Sequence, residues 1–425
     1  MDHRPALSNR HLLFYTLYLA YIAAGALSIL PGPTLPLLAQ HTGVSLDKAG
    51  WMFTALSAGF AIGVMIAGLF TKRLSPKSIL MLGLVLMAAN SIITPWTHLF
   101  SLLLASQFLM GIGFGFLDVS INILVSLLFR ETLSQTLIGL HSSFGLGALV
   151  APLLLSLALT VAHDPIWAYL TGSLIALICT ALLFRQRTPR PATVTSTGQL
   201  AQQALSPRIF GQLLLWLMAL EFFFYIAVEV GFSDWIVTAV SQSAAISLAL
   251  AAPAATAFWL GLTVSRLLSS QIIKRAILNE RQLLYLCIFG GGLSVLLAAL
   301  FPGQLVIVFS ASACVGFFLG PLFPGLLAIA SRWFAHALGT ISGVLLISSG
   351  ISGMIFPVFM GILIPSIGIQ WVMAIPAVVC LLIAFPFALA NRKQRRTLQL
   401  QQEEHTIEGT SPLPIIRHPQ GQGVG

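Results

Sequence analysis

The chain has 425 residues, of which 57% are apolar and only 8% are charged, about a third of the ~25% charge of an ordinary soluble domain. Its 21 basic and 12 acidic residues cannot cover a soluble protein of this length with polar surface, so a lipid bilayer has to be the main solvent. The formal net charge of +9 is then a question of which face holds the cations, and nucleic-acid binding is excluded as its reason.

A short basic segment with Arg4 and Arg10 precedes an apolar run over 12–38. That run is too long for the h-region of a signal peptide and lacks a small-x-small cleavage site, so it is expected to remain as the first span. A helix needs about 20 apolar residues to cross ~30 Å of hydrocarbon. Eleven further runs meet that length, near 51–70, 78–97, 100–129, 135–161, 166–184, 209–239, 246–269, 282–301, 304–330, 338–364 and 368–390. The expected fold is an all-α membrane protein with twelve transmembrane helices.

Alternate connections carry Lys72, Arg73 and Lys77, then Arg130, then Arg185, Arg187, Arg190 and Arg208, then Lys274, Arg275 and Arg281, then Arg332. With Arg4, Arg10 and the tail residues Arg392, Lys393, Arg395, Arg396 and Arg417, one face holds 19 of the 21 basic residues. Only Lys48 falls on the other face and only Arg266 inside a span. This asymmetry predicts a multi-pass protein of the cell membrane with both termini cytoplasmic. The stretch 185–208, rich in Pro, Thr, Ser and Gln, reads as a linker between a six-helix half at 1–184 and another at 209–391. The tail 392–425, with Glu403, Glu404 and late prolines and glycines, reads as disordered. Cys179, Cys287, Cys314 and Cys380 lie in apolar runs without metal-ligand spacing and are expected to be small core residues, so no metal or cofactor is implied.

An offset of 205 aligns Gly111 with Gly316, Gly115 with Gly320, Gly145 with Gly350 and Pro152 with Pro357. One residue off that register, Tyr21-Ile22-Ala23 meets Tyr225-Ile226-Ala227. The two halves therefore read as pseudo-repeats, an arrangement in which the solute site lies near the midplane between them.

Ionisable groups at bilayer depth cost about 2.5–3.5 kcal/mol each on insertion scales, which makes the few that remain candidates for function. Span four carries Asp118; span seven carries Glu221, Glu229 and, near its outer end, Asp234; span eight carries Arg266. Gln107, Gly111, Gly115, Asp118 and Asn122 share one face of span four, and Glu221, Tyr225, Glu229 and Ser233 recur at every fourth residue of span seven. Solute or proton binding by Asp118 and Asn122 competes with a simpler reading in which they tie helices together, and Glu221 is as readily a group with a structural partner. His141 and Asp118 are almost equally far in sequence from Arg130, at the turn between spans four and five. They are expected at one depth, in contact, unless a backbone carbonyl satisfies the imidazole. Trp235 is either an apolar plate for a sugar ring or an interfacial anchor.

Several stretches resemble the fucose–galactose–glucose symporter branch of the major facilitator superfamily and the related bypass-of-stop-codon type transporters. GIGFGFLDVSINI at 111–123 is similar to that branch's G-x-G-x-x-[DE]-x-x-x-N pattern, and LHSSFGLGALVAP at 140–152 to its L-H-x-x-F-G-x-G-A-x-x-x-P stretch. FFFYIAVEVGFSDW at 222–235 matches the branch at Glu229 and Trp235, with Ala227 in place of a glycine, and GPLFPGLLAIA at 320–330 resembles its tenth span. The resemblance implies a proton-coupled carrier of sugars or sugar-like solutes with Asp118 and Glu229 as coupling acids; together with the helix faces it gives Gln107, Asn122, His141, Tyr225, Glu229 and Trp235 as the residues expected toward the solute. The superfamily's G-x-L-x-D-R-x-G-R loop is here Gly68-Leu69-Phe70-Thr71-Lys72-Arg73-Leu74-Ser75-Pro76-Lys77, which keeps the bases Lys72 and Arg73 and loses the acid. Arg266, after Ser265, resembles the arginine of span eight.

The expected partners are a small solute, protons and the lipid bilayer, with the chain acting as a monomer. A proton-driven efflux antiporter remains the alternative within transport. No H-E-x-x-H, paired-aspartate or Walker A motif is present, which argues against an enzyme and against direct use of ATP.

Overall fold

The computed structural model describes residues 7–71, 73–129, 133–186, 188, 207–275, 277–334 and 337–409, and among them the regular structure is entirely helical. Twelve of its helices are long and apolar enough to cross a bilayer. These spans one to twelve run His11–Ile29, Leu46–Phe70, Pro76–Trp96, Phe100–Leu128, Gly139–Ala162, Ile166–Arg185, Leu213–Ala244, Leu248–Ile273, Glu280–Leu300, Leu305–Trp333, Ile341–Ile367 and Ile369–Gln394. Inside them, hydroxyls find backbone partners one turn back, as where Thr16 donates to Leu12 O and Ser312 to Val308 O, each at 2.7 Å.

Three expectations are corrected. The apolar run 12–38 is not one rod: a helix over Leu7–Ile29 gives way to a second over Pro31–Thr42, because Pro31 brings no N–H to the first turn it opens. Span ten is interrupted between Leu319 and Leu322, at Gly320-Pro321. The tail expected to be disordered from 392 is helical as far as Gly409, in one element with the end of span twelve, Ala384–Gly409; its Leu, Gln, Glu and Arg residues are good helix formers. Lys72, Arg130, most of the linker 185–208 and residues 410–425 lie outside the described residues.

The pseudo-repeat is a repeat of packing. A Cβ added to Gly111 would lie 2.0 Å from Leu56 O and 2.6 Å from Phe60 N, and one added to Gly316 would lie 1.9 Å from Phe258 O and 2.8 Å from Leu262 N. Spans four and two therefore touch backbone to backbone as spans ten and eight do, 205 residues apart, and only glycine permits that approach. The pair Gly145 and Gly350 does not share a role: Gly145 abuts Thr263 across the halves, while Gly350 has open space beside it.

The halves meet along their outer ends, the face that carries Lys48. Ser57 of span two donates to Gly353 O of span eleven at 3.1 Å, and Thr54 donates to Met354 O one turn further out. On the opposite side, Ser156 of span five donates to Ala249 O at 2.6 Å, and Thr256 of span eight donates to Leu149 O at 3.1 Å. Two of these acceptors are carbonyls released by prolines. Pro357 and Pro253 have no N–H to return to Gly353 O and Ala249 O four residues earlier, so a hydroxyl from the other half takes the place. These four hydrogen bonds tie the halves together on the side that carries Lys48.

Gly111→Val should drive a side chain into the span two backbone and cost more than the ~1–3 kcal/mol of ordinary overpacking. Gly68→Ala, where nothing lies within 4 Å, should be neutral or stabilising by about 0.5–1 kcal/mol. Thermal unfolding of the two purified variants, followed by dye fluorescence, measures the contrast.

Candidate functional site

Span four presents Asp118 and Asn122 on one face, and span one brings Tyr21 against them. The Tyr21 hydroxyl donates to Asp118 Oδ1, while Asn122 Nδ2 donates to Asp118 O at 2.8 Å and reaches Oδ1 at 3.4 Å. Tyr21 is itself 2% exposed, so its hydroxyl is held on the carboxylate by packing, with its ring edge-on to Phe144 of span five at 5.9 Å. His141 projects into the same space, with its ring edge-on to Tyr21 at 5.6 Å.

The hairpin arithmetic therefore set the depth of His141, but not its contact. Tyr21, and not the imidazole, makes the direct hydrogen bond to Asp118. His141 lies close enough to feel both Asp118 and Arg266, one charge from each half, and its side chain is exposed in this conformation.

The C-terminal half answers with a different arrangement around the related tyrosine. Tyr225 and Glu229 stand one turn apart on span seven, and the Tyr225 hydroxyl donates to Glu229 Oε2. Arg266 of span eight donates to the Tyr225 hydroxyl at 3.2 Å and lies 3.6 Å from Glu229 Oε2. The side chains of Arg266 and Glu229 keep 28% and 14% of their exposure. Arg266 Nε is buried and has no acceptor. At the position 205 residues after Asp118 stands Phe323, whose ring is 5.8 Å from that of Tyr225. The repeat has kept the tyrosine and replaced its acid by an aromatic ring; the C-terminal acid sits on the tyrosine's own helix.

Two expected residues do not join this site. Gln107 is 1% exposed and donates to Thr94 Oγ1 at 3.2 Å; it shares a face with Asp118 but lies three turns further out, where it ties span four to span three. Trp235 is fully buried and donates from Nε1 to Pro357 O at 3.1 Å. A Cβ on Gly50 or on Gly361 would lie 3.2 Å or 3.1 Å from its ring, so this indole fills the outer seam between the halves instead of offering a plate to solute. Glu221 is 0% exposed and neither of its oxygens has a hydrogen-bond partner, so the reading in which a structural partner satisfies it finds no support. Arg73 is exposed on the basic face. Nearby, Lys77 donates to Phe184 O and Gln186 O at the end of span six, so this loop is fastened to helix-end carbonyls, which attract a cation as the missing acid would.

Sequence reasoning missed Tyr21 as a site residue, although the alignment of Tyr21 with Tyr225 was the available signal. It also missed Phe114, Phe144 and Trp259. Phe144 stacks on Phe114 at 5.6 Å and meets Trp259 of the other half at 6.3 Å. Nothing in their spacing separates them from ordinary lipid-facing aromatics. Among the described residues no His, Cys, Asp and Glu group of metal-binding size occurs.

A family model described as Major Facilitator Superfamily matches residues 17–316 and 279–421. The sodium-dependent glucose transporter 1 of Xenopus laevis is 25% identical over 320 residues, which are 69% of this chain and 64% of that protein. Bypass of stop codon protein 6 of Saccharomyces cerevisiae is 24% identical over 385 residues, 80% of this chain and 74% of its own. In fold, the chain is similar to the crystal structure of the Escherichia coli fucose:proton symporter, with a TM-score of 0.60, 19% identity, and coverage of 91% of this chain and 99% of that one.

Arg266→Met strips Glu229 of its cation. Breaking a fully buried pair costs about 3–5 kcal/mol; the exposure left at Arg266 should hold the loss near ~2 kcal/mol. Adding Glu229→Gln removes the stranded charge and should recover part of the melting temperature. A double variant that melts below the single Arg266→Met variant would show that the two side chains do not act as a pair.

Proposed function

We propose that this chain, which belongs to the Major Facilitator Superfamily, carries a small polar solute of the sugar class across the cell membrane together with a proton, by alternating access. The observation that carries this reading is the pair of tyrosine-held carboxylates, Asp118 and Glu229, contributed by opposite halves. The names of the glucose and fucose transporters that resemble this chain support the solute class.

The two acids have different surroundings, and this suggests separate roles. Glu229 has Arg266 beside it, so its charge is balanced without a proton, and the exposure that both side chains keep lets the pair offer an acceptor and donors to solute hydroxyls. Asp118 has no lysine or arginine partner among the described residues; its hydrogen bonds come from Tyr21 and Asn122. A proton is then the counter-charge that would let the cavity close over Asp118 without a bare carboxylate in low dielectric. His141, between Asp118 and Arg266, and Asn122 complete the solute surface on the N-terminal side.

In right-side-out vesicles with an imposed proton gradient, labelled glucose or fucose should accumulate. Asp118→Asn should abolish accumulation while counterflow persists, and Glu229→Gln should weaken solute binding by about tenfold, the worth of one hydrogen bond to a charged group. Accumulation driven equally by a sodium gradient would remove the proton from the mechanism. Expulsion of a cationic dye with no sugar uptake would replace uptake by export.

With 19 of 21 basic residues on one face, that face is assigned to the cytoplasm. On a background with Cys314 changed to Ser, a membrane-impermeant thiol reagent applied to intact cells should label Ser45→Cys and not Leu74→Cys. The reverse pattern would invert the topology.

A further inference from the structure

At the basic end of the C-terminal half lies a second cavity, of about 780 Å³, enclosed by the inner ends of spans nine, ten and twelve. It is distinct from the site between the halves, whose residues do not line it. Three arginines line it, Arg281, Arg332 and Arg392, against one acidic residue, Glu280. Glu280 is paired with Arg332. Among the described residues, Arg281 and Arg392 have no acidic partner, so the cavity carries a positive excess that nothing within it balances.

Its wall also holds an acceptor in want of a donor. Asn391 is 6% exposed and gives its amide nitrogen to Phe387 O at 2.8 Å, which leaves Oδ1 buried and without a partner. A buried acceptor left unpaired is a standing cost that a ligand hydroxyl would relieve. Tyr285 and Trp333 line the cavity as well, and such rings with one polar edge suit the headgroup layer of a bilayer. All three spans begin or end here, so the cavity stands at headgroup depth and not in the hydrocarbon.

We propose that this cavity holds the headgroup of an anionic glycerophospholipid of the phosphatidylglycerol type, its phosphate met by Arg281 and Arg392 and a glycerol hydroxyl donating to Asn391 Oδ1. Arginine forks match phosphate oxygens in pairs, and a basic pocket between spans on such a face is the chemistry that binds anionic headgroups. A choline headgroup brings no donor for Asn391 and no net charge for the arginines. Inorganic phosphate meets the arginines alone.

The test uses the full chain in phosphatidylcholine vesicles, alone, with phosphatidylglycerol, or with inorganic phosphate in the buffer. Phosphatidylglycerol should raise the melting temperature of the native chain, and inorganic phosphate should not. The double variant Arg281→Gln, Arg392→Gln should lose that rise, and Asn391→Leu should lose part of it with phosphatidylglycerol but none with phosphatidic acid, which lacks the glycerol hydroxyls. Because the double variant could simply be less stable, native mass spectrometry of lipid retained after purification gives an independent reading. Retained phosphatidylglycerol should fall by about tenfold or more, as expected for losing hydrogen bonds to charged groups. Equal retention by the variant, or no rise in melting temperature for the native chain, would overturn the proposal. A rise produced equally by inorganic phosphate would overturn the lipid and leave only an anion site.

Discussion

Hydrocarbon offers no hydrogen bonds, so every polar group that enters it must bring its partner along. That constraint accounts for the all-helical described chain, for serines and threonines that bond back to their own helices, and for Asp118 and Glu229 standing beside tyrosines, with the buried and unpaired Glu221 as the exception. A tyrosine suits this task because it delivers one donor on a large apolar ring that packs as part of the core. Tyr21 and Tyr225 are 2% and 0% exposed and each donates to an acid. Around those two bonds the site between the halves is assembled.

The same constraint shapes the seam between the halves. Pro253 and Pro357 leave Ala249 O and Gly353 O without their usual helical donors, and hydroxyls of the opposite half satisfy them. Each such bond is worth only about 0.5–1.5 kcal/mol net. Trp235 plugs the seam with apolar volume between Gly50 and Gly361. An indole in that place is committed to packing between the halves and to Pro357 O, away from Asp118 and Glu229.

The two halves share backbone contacts and differ in chemistry. Glycines at 111 and 316 hold spans four and ten against spans two and eight through the same close approach. On that common frame the N-terminal half sets an acid on span four, held by Tyr21 and Asn122. The C-terminal half sets a ring at the matching position, an acid on span seven and an arginine on span eight. The frame is symmetric and the charge is not: Glu229 has an arginine beside it, and Asp118 has a tyrosine and an asparagine.

The sequence by itself determined the solvent, the number of spans, the sidedness of the basic residues and the repeat. Each follows from composition or from a period, and neither depends on which helices become neighbours. It also selected Asp118, Glu229 and Arg266, since a charge at bilayer depth stands out in any apolar run. Tertiary structure alone decided what those charges touch: Tyr21 reaches Asp118 from 97 residues away, and His141, placed at the correct depth by counting, meets Tyr21 first. Periodicity assigned Gln107 to the face of Asp118, but one face of a helix passes several neighbours along its length, and at Gln107 the neighbour is span three. Trp235 was misjudged for the same reason. Depth along a helix is written in the sequence, whereas the partner at that depth is fixed only when twelve helices choose their crossings, and in hydrocarbon that choice rests on small residues and backbone fit.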